Sequence, residues 1–290
     1  MASLESSSSA QPVPIPVIYT IANGRSGSTL LGQLLGNHPS IFNAGEVYNY
    51  RPFFLRGAED PTRLCACGEP LRDCPFWKAI RARLTDGGFD PYIDLKDRDR
   101  FEAHNYALFS ALLAESGTGV VMDSSKRHYR LRLLTDSPRF EVTIVHLTRD
   151  PRAYGYSVLN SPKRGEVPSS QYYTKLTRWT AKNLGVHLRY RQHPRYLQVR
   201  YEDLVEDPEK QRRRILTTAK LSTETVSDDR ATAVYHDFSG NQRARERPTK
   251  TVRKDTRYLE HLTPLQWRVG SWLTAPARPL FGYENSRPTV

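Results

Sequence analysis

The residues best suited to chemistry in this sequence are cations, hydroxyls and a few acids gathered in short polar stretches that follow apolar runs. The first stretch is Asn23-Gly24-Arg25-Ser26-Gly27-Ser28-Thr29, which lies between the apolar run Pro16–Ala22 and the helical spacing of Thr29–Leu35. A Gly/Ser-rich turn that enters a helix aims several backbone N–H groups and the positive end of the helix dipole at one point, and phosphate or sulfate is the natural occupant. Arg25 adds a cation, and Ser26, Ser28 and Thr29 add hydroxyl donors. A tight strand-to-helix turn that needs Gly27 only for its backbone angles has a similar composition, so the loop alone leaves both readings open.

A second stretch ends the run Val142–Thr148 with Arg149-Asp150-Pro151, and Ser157 follows eight residues after Arg149. A guanidinium fork and a hydroxyl are donors that hold a doubly charged phosphate monoester. The plain alternative is an arginine paired with a local aspartate at a helix cap. A third stretch, Asp123-Ser124-Ser125-Lys126, offers Lys126 as a cation and Asp123 as a group that ties the loop through backbone N–H bonds. Two general bases are available: Glu46, in Asn43-Ala44-Gly45-Glu46 and 21 residues after Arg25, and His128, two residues after Lys126. Each also has a structural reading, Glu46 as an ion-pair partner of Arg25 and His128 as a satisfied structural group.

These stretches follow candidate strands at Pro16–Ala22, Gly119–Met122, Val142–Leu147 and Tyr196–Tyr201, each flanked by longer helix-like segments. Strands alternating with helices predict a three-layer α/β fold, a mainly parallel sheet with helices on both faces, and functional loops at the strands' C-terminal ends. Residues 1–14, Ser- and Pro-rich, are expected to form a disordered leader, and 15–290 a single domain. There is no internal repeat.

Composition narrows the class. The 290 residues are 38% apolar and 10% aromatic, with 17 Gly and 20 Pro, which suits a globular chain and not a coiled-coil or collagenous one. No apolar stretch reaches the 18 or so residues of a membrane span and no signal peptide opens the chain, so a cytoplasmic protein is expected. A net charge of +12 suits an anionic partner without naming it. Cys65, Cys67 and Cys74 are the only cysteines, too few for a secreted disulfide scaffold. They supply three of the four ligands that zinc takes, with no obvious fourth, so a zinc site stays open as the weaker alternative to a reduced structural loop or an opportunistic disulfide. Around them, Tyr48, Tyr50, Phe53, Phe54, Phe76 and Trp77 offer aromatic surface or loop packing.

The first loop lacks the Lys of the G-x-x-x-x-G-K-[ST] nucleotide-hydrolysing loop. Gly24-Arg25-Ser26-Gly27-Ser28-Thr29-Leu30-Leu31 resembles instead the 5′-phosphosulfate loop of sulfotransferases that use 3′-phosphoadenylyl sulfate (PAPS). The Arg149/Ser157 element resembles that family's 3′-phosphate site, and Tyr201-Glu202-Asp203-Leu204 with Asp207-Pro208 is similar to its Y-E-D-L…D-P segment, whose Tyr lies beside the adenine. The segments His236–Arg243 and Val252–Asp255 resemble its C-terminal nucleotide-covering loop, which brings in Arg253. Lys126 looks like its second catalytic Lys, and the Glu46 layout is similar to that of tyrosylprotein and some carbohydrate sulfotransferases, where the Glu is the base.

The resemblance implies a P-loop-like sulfotransferase fold over roughly residues 15–285. It also implies sulfonate transfer from PAPS to a hydroxyl of a small molecule, lipid or sugar, with Glu46 as the preferred base and His128 as the alternative. Residues 55–80 are then an acceptor-side insertion. No metal is expected, since Arg25, Lys126 and backbone amides supply the positive field. The rivals are an ATP-dependent P-loop kinase and a non-catalytic nucleic-acid binder; the second is disfavoured because the basic residues are scattered and form no aromatic-interleaved stripe. The acceptor and the oligomeric state are not legible.

Overall fold

The computed structural model describes residues 13–57, 64–160, 168, 170–224, 236 and 254–287. Its centre is a sheet of five parallel strands: β1 (Ile15–Ala22), β2 (Ile41–Gly45), β3 (Val120–Asp123), β4 (Phe140–Thr148) and β5 (Tyr196–Arg200), in the order β2-β3-β1-β4-β5. β1 pairs with β4 along its whole length, from Ile15↔Phe140 to Ala22↔Leu147, and with β3 at Val17↔Val121. From β1 the chain moves toward the β2 edge, and from β3 it crosses back over β1 to β4. The connections therefore diverge above the C-terminal end of β1, where open α/β sheets bind ligands.

Among the described residues eleven helices, besides short 3₁₀ turns, complete the layers: α1 (Ser28–Gly36), α2 (Tyr50–Gly57), α3 (Pro75–Asp86), α4 (Phe101–Ser116), α5 (His128–Asp136), α6 (Pro151–Leu159), α7 (Ser170–Tyr190), α8 (Tyr201–Glu206), α9 (Pro208–Thr218), α10 (Arg257–His261) and α11 (Pro264–Leu273). The period-two pleat divides the core. Val17, Tyr19 and Ile21 pack with Trp77, Ile80, Phe109, Leu112, Leu131 and Val186 of α3, α4, α5 and α7. Ile18 and Ala22 face the other way, onto Leu31, Leu35, Ile215 and Leu216 of α1 and α9. The expected three layers are present.

Two details differ from the sequence reading. β2, Ile-Phe-Asn-Ala-Gly, was not among the expected strands, because five residues that end at a glycine carry no clear alternation. Its place is set by pairing to β3, with a register shift between Asn43 and Gly45. Tyr201 was expected to end a strand, but it opens α8, whose first turn holds Glu202 and Asp203 at the positive end of the helix. Of the expected leader, Val13 and Pro14 are exposed and outside regular structure, and residues 1–12 lie outside the described residues. Among the described residues no helix is long and apolar enough to cross a membrane.

Candidate functional site

Each polar stretch singled out from the sequence, wherever it is described, follows the C-terminal end of a strand. After β1, Gly27 caps α1 with φ 87°, and a Cβ there would meet Tyr201 Cδ2 at 2.6 Å. Arg25, exposed, holds φ 67°, a left-handed conformation that a side chain makes costly. The Ser26 hydroxyl is buried in the loop without a hydrogen-bond partner among the described residues. The first turn of α1 carries no acid to offset its positive end. Gly24 and Thr29 flank this turn, Gly24 exposed and Thr29 half-buried, and Ser28 is buried at the start of α1.

Arg149 reaches this loop from the end of β4. Its Nη1 donates to the Arg25 carbonyl at 3.0 Å, its Nη2 donates to Asp255 Oδ2 at 3.1 Å, and its guanidinium lies 4.6 Å from the Tyr201 ring centroid. Its Nε is buried and finds no partner among the described residues. The local aspartate is otherwise engaged: Asp150 caps α6 through the Arg152 N–H at 2.8 Å and pairs with the Arg152 guanidinium at 2.7 Å. The plain reading of Arg149, a pair with its neighbour, thus belongs to Arg152. Asp255 is held at a pKa of about 2 by hydrogen bonds from Arg257 first and Arg149 second, against the effect of burial. Ser157 sits half-buried on α6, and Arg253 lies outside the described residues.

The neighbouring loops carry the other charged residues. Glu46 follows β2, and Lys126 follows β3, with Lys126 Nζ 2.7 Å from Glu46 Oε1 in a charge-assisted hydrogen bond. The two loops are laced by Ser124 N–H to the Gly45 carbonyl at 2.8 Å and Tyr48 N–H to Ser125 Oγ at 3.0 Å. Asp123, fully buried, accepts from the Ser125 N–H at 2.8 Å and from Arg130 Nε at 2.7 Å, which is the loop-holding role expected of it. Lys126 takes φ 61°; Arg25 and Lys126 are two of the three non-glycine residues with positive φ among the described residues. Backbone strain of this kind persists where surrounding structure enforces it. His128 opens α5, and desolvation first and the Lys182 ammonium second hold it below its ordinary value, so it is neutral at pH 7.

Two supports were not legible before folding. Lys182, on α7, donates from Nζ to the Ala22 carbonyl at 2.5 Å and to the Lys126 carbonyl at 3.0 Å, bridging the ends of β1 and β3. Burial, then Lys126 and Arg127, push it down to about 8. Asn183, its neighbour, donates to Asn23 Oδ1 at 3.0 Å and to the Trp179 carbonyl at 2.8 Å, which leaves its Oδ1 to accept from His146 Nε2 at 2.9 Å. Both residues sit in a long helix whose pattern reveals an apolar face and nothing about which polar residue reaches a loop from another strand.

A family model described as the sulfotransferase family matches residues 16–225, well over half of the chain. The chain belongs to the sulfotransferase family. No curated protein matches it. Among solved structures, this sulfotransferase is similar to the sulfotransferase domain of the Synechococcus PCC 7002 olefin synthase, at 22% identity and a TM-score of 0.52 over 94% of this chain and 97% of that one. It is also similar to sulfotransferase STF9 from Mycobacterium avium, at 15% identity and 0.52 over 94% and 78%. A mouse sulfotransferase, SULT7A1, complexed with PAP aligns at 12% identity and 0.50 over 91% and 83%. At these identities the likeness speaks for the fold, which is the P-loop-like one expected.

Part of the aromatic reading is corrected by burial. Tyr50, Phe54 and Trp77 are buried core residues, so they pack the loop and offer no surface. Tyr48, Phe53 and Phe76 are half-buried; Tyr48 lies beneath the Lys96 ammonium at 4.4 Å. The three cysteines are free, and His236, 162 residues after Cys74, lies among them.

Proposed function

We propose that this sulfotransferase takes its sulfonate from PAPS and delivers it to a hydroxyl of a small molecule, lipid or sugar. The observation that carries the donor assignment is the Arg149 guanidinium, fixed on the Arg25 carbonyl and over Tyr201, with a buried Nε that has no partner among the described residues. The Ser26 hydroxyl, without a partner among the described residues, and the Gly27 cradle, which a Cβ would fill, suit the same anionic nucleotide. Bound PAPS supplies a sulfonate whose bond to the 5′-phosphate oxygen breaks as the acceptor oxygen attacks sulfur, leaving PAP.

In this reading the backbone and hydroxyls of Gly24–Thr29 hold the 5′ end of the donor, Arg149 and Ser157 hold its 3′-phosphate, and Tyr201 flanks the adenine; Arg253 joins them on the resemblance alone. Arg25 and Lys126 neutralise the charge that grows on the departing phosphate, where a placed cation lowers the barrier most. Glu46 takes the acceptor proton, and residues 55–80 border the acceptor. The ammonium at 2.7 Å supports Glu46 as the base because it fixes the carboxylate at the loop that also carries a proposed catalytic cation. The three-layer core around one sheet supports a single domain, and the sequence reading places the reaction in the cytoplasm.

Glu46→Gln is expected to lower turnover by roughly 10²–10⁴-fold with PAP affinity near that of the wild type, while His128→Ala is mild. The opposite ranking in steady-state assays moves the base to His128.

A further inference from the structure

We infer that Cys65, Cys67, Cys74 and His236 form a structural zinc site. Their ligand atoms, three Sγ and one imidazole nitrogen, all lie within 4.8 Å of one another. A tetrahedral zinc with Zn–S of about 2.3 Å and Zn–N of about 2.0–2.1 Å requires edges of about 3.8 Å between sulfurs and about 3.5 Å between sulfur and nitrogen. The cluster has 3.7 Å from Cys67 Sγ to Cys74 Sγ, 3.4 Å from Cys74 Sγ to His236 Nδ1 and 3.8 Å from Cys65 Sγ to His236 Nδ1. Three of the six edges thus match a metal tetrahedron, and the other three stay within 4.8 Å.

The local chain is built to present these atoms. Cys65 and Cys67 sit on a tight turn closed by Cys65 N–H to the Glu69 carbonyl at 2.8 Å and Gly68 N–H to the Cys65 carbonyl at 3.0 Å, with Gly68 at φ 95°. Cys74 caps the N-terminus of α3, its N–H bonded to the Pro70 carbonyl at 2.9 Å. His236 comes from far along the sequence and is clamped twice. Trp77 Nε1 donates to its backbone carbonyl at 2.7 Å, and Phe76 stacks on its ring at 4.6 Å with 5° between planes. The clamp turns Nδ1 toward the sulfurs. Cys65 and Cys74 are buried, and thiolates in such a place require a cation.

A sulfur-rich tetrahedral set selects zinc over magnesium or calcium, and four protein ligands leave no open position for substrate, so the site is structural. Binding displaces the thiol protons to solvent and stitches residue 236 to the head of α3. This inference does not depend on the identity of the sulfonate donor or on which residue is the base.

Tag-free protein from zinc-supplemented culture, purified without chelator, is expected to carry one zinc per chain by elemental analysis. After denaturation in chelator, three reduced thiols should be counted. Metal-stripped wild-type protein titrated with cobalt should develop thiolate-to-cobalt charge transfer and the strong visible bands of tetrahedral coordination, which zinc then removes stoichiometrically. His236→Ala should shift those bands and weaken zinc binding at least about tenfold, as for loss of even an indirect contact in other sites. Wild-type protein that neither holds zinc nor takes up cobalt overturns the inference, as does a Cys67–Cys74 disulfide seen as a single free thiol. Unchanged cobalt bands and affinity in a folded His236→Ala variant would remove the fourth ligand.

Discussion

Replacing Gly27 by alanine probes the geometry on which donor binding rests, and Gly24, three residues earlier, supplies an internal control for folding stability. Gly27 has φ 87°, and an added Cβ would lie 2.6 Å from Tyr201 Cδ2 and 3.1 Å from Cε2. The left-handed backbone alone costs about 1–2 kcal/mol for an L side chain, and strain at such sites totals about 1–3 kcal/mol each. The Tyr201 ring must also give way, and it underlies the Arg149 guanidinium, whose Nη1 holds the Arg25 carbonyl. A chain of this size loses about 2 °C of melting temperature per kcal/mol, so Gly27→Ala is expected to melt about 2–6 °C lower. PAP affinity should fall with it, since the ring, the fork and the loop move together. At Gly24 a Cβ meets nothing within 4 Å, so Gly24→Ala should stay within about 0.5 kcal/mol of the wild type. Calorimetric melts and PAP titrations of both variants make the comparison. Equal loss of melting temperature from the two, or a Gly27→Ala variant that melts and binds PAP like the wild type, refutes the reasoning.

Lys126→Met keeps most of the stem and deletes the charge, so turnover at saturating donor and acceptor should fall roughly 10²-fold or more while PAP affinity changes only severalfold; near-normal turnover would make Lys126 a structural partner of Glu46. His146 is fully buried, and burial pushes its pKa down to about 3. The unfolded ring takes its proton near pH 6.5. Between these values the unfolded state binds more protons, so stability falls as pH drops from about 6.5 toward 3, by at most about 1.4 kcal/mol per unit from this group. Melts of wild type and His146→Gln across that range should show a shallower acid limb in the variant, and parallel limbs would contradict the assignment.

The fold was legible where the chain repeats a simple physical pattern. β1 and β4 are continuous β-branched and aromatic runs buried on both faces, and α1 begins where Gly27 allows the turn. β2 was not legible, because its place is fixed by pairing to β3 and not by its own five residues. At the site, Arg25 and Arg149 were readable from loop chemistry at strand ends and Tyr201 from the family resemblance, and Arg149 touches both of the others. Their mutual support through Asp255 was not, since Asp255 lies 106 residues beyond Arg149. Lys182 and Asn183 were invisible for the same reason: a polar residue on a long helix gives no hint of the carbonyl or amide it reaches. His236 could be found only after folding had set it beside cysteines more than 160 residues earlier.

The measurement closest to the central claim is the thermal shift given by PAP compared with that of 5′-AMP, which lacks the 3′-phosphate assigned to Arg149 and Ser157. At a hundredfold excess over its dissociation constant a ligand of the native state contributes about 2.7 kcal/mol, which corresponds to a rise of about 5 °C here. PAP at that concentration should give this rise, 5′-AMP at equal concentration much less, and Arg149→Ala should abolish the difference between them. Equal shifts from PAP and 5′-AMP, or none from PAP, would contradict the account.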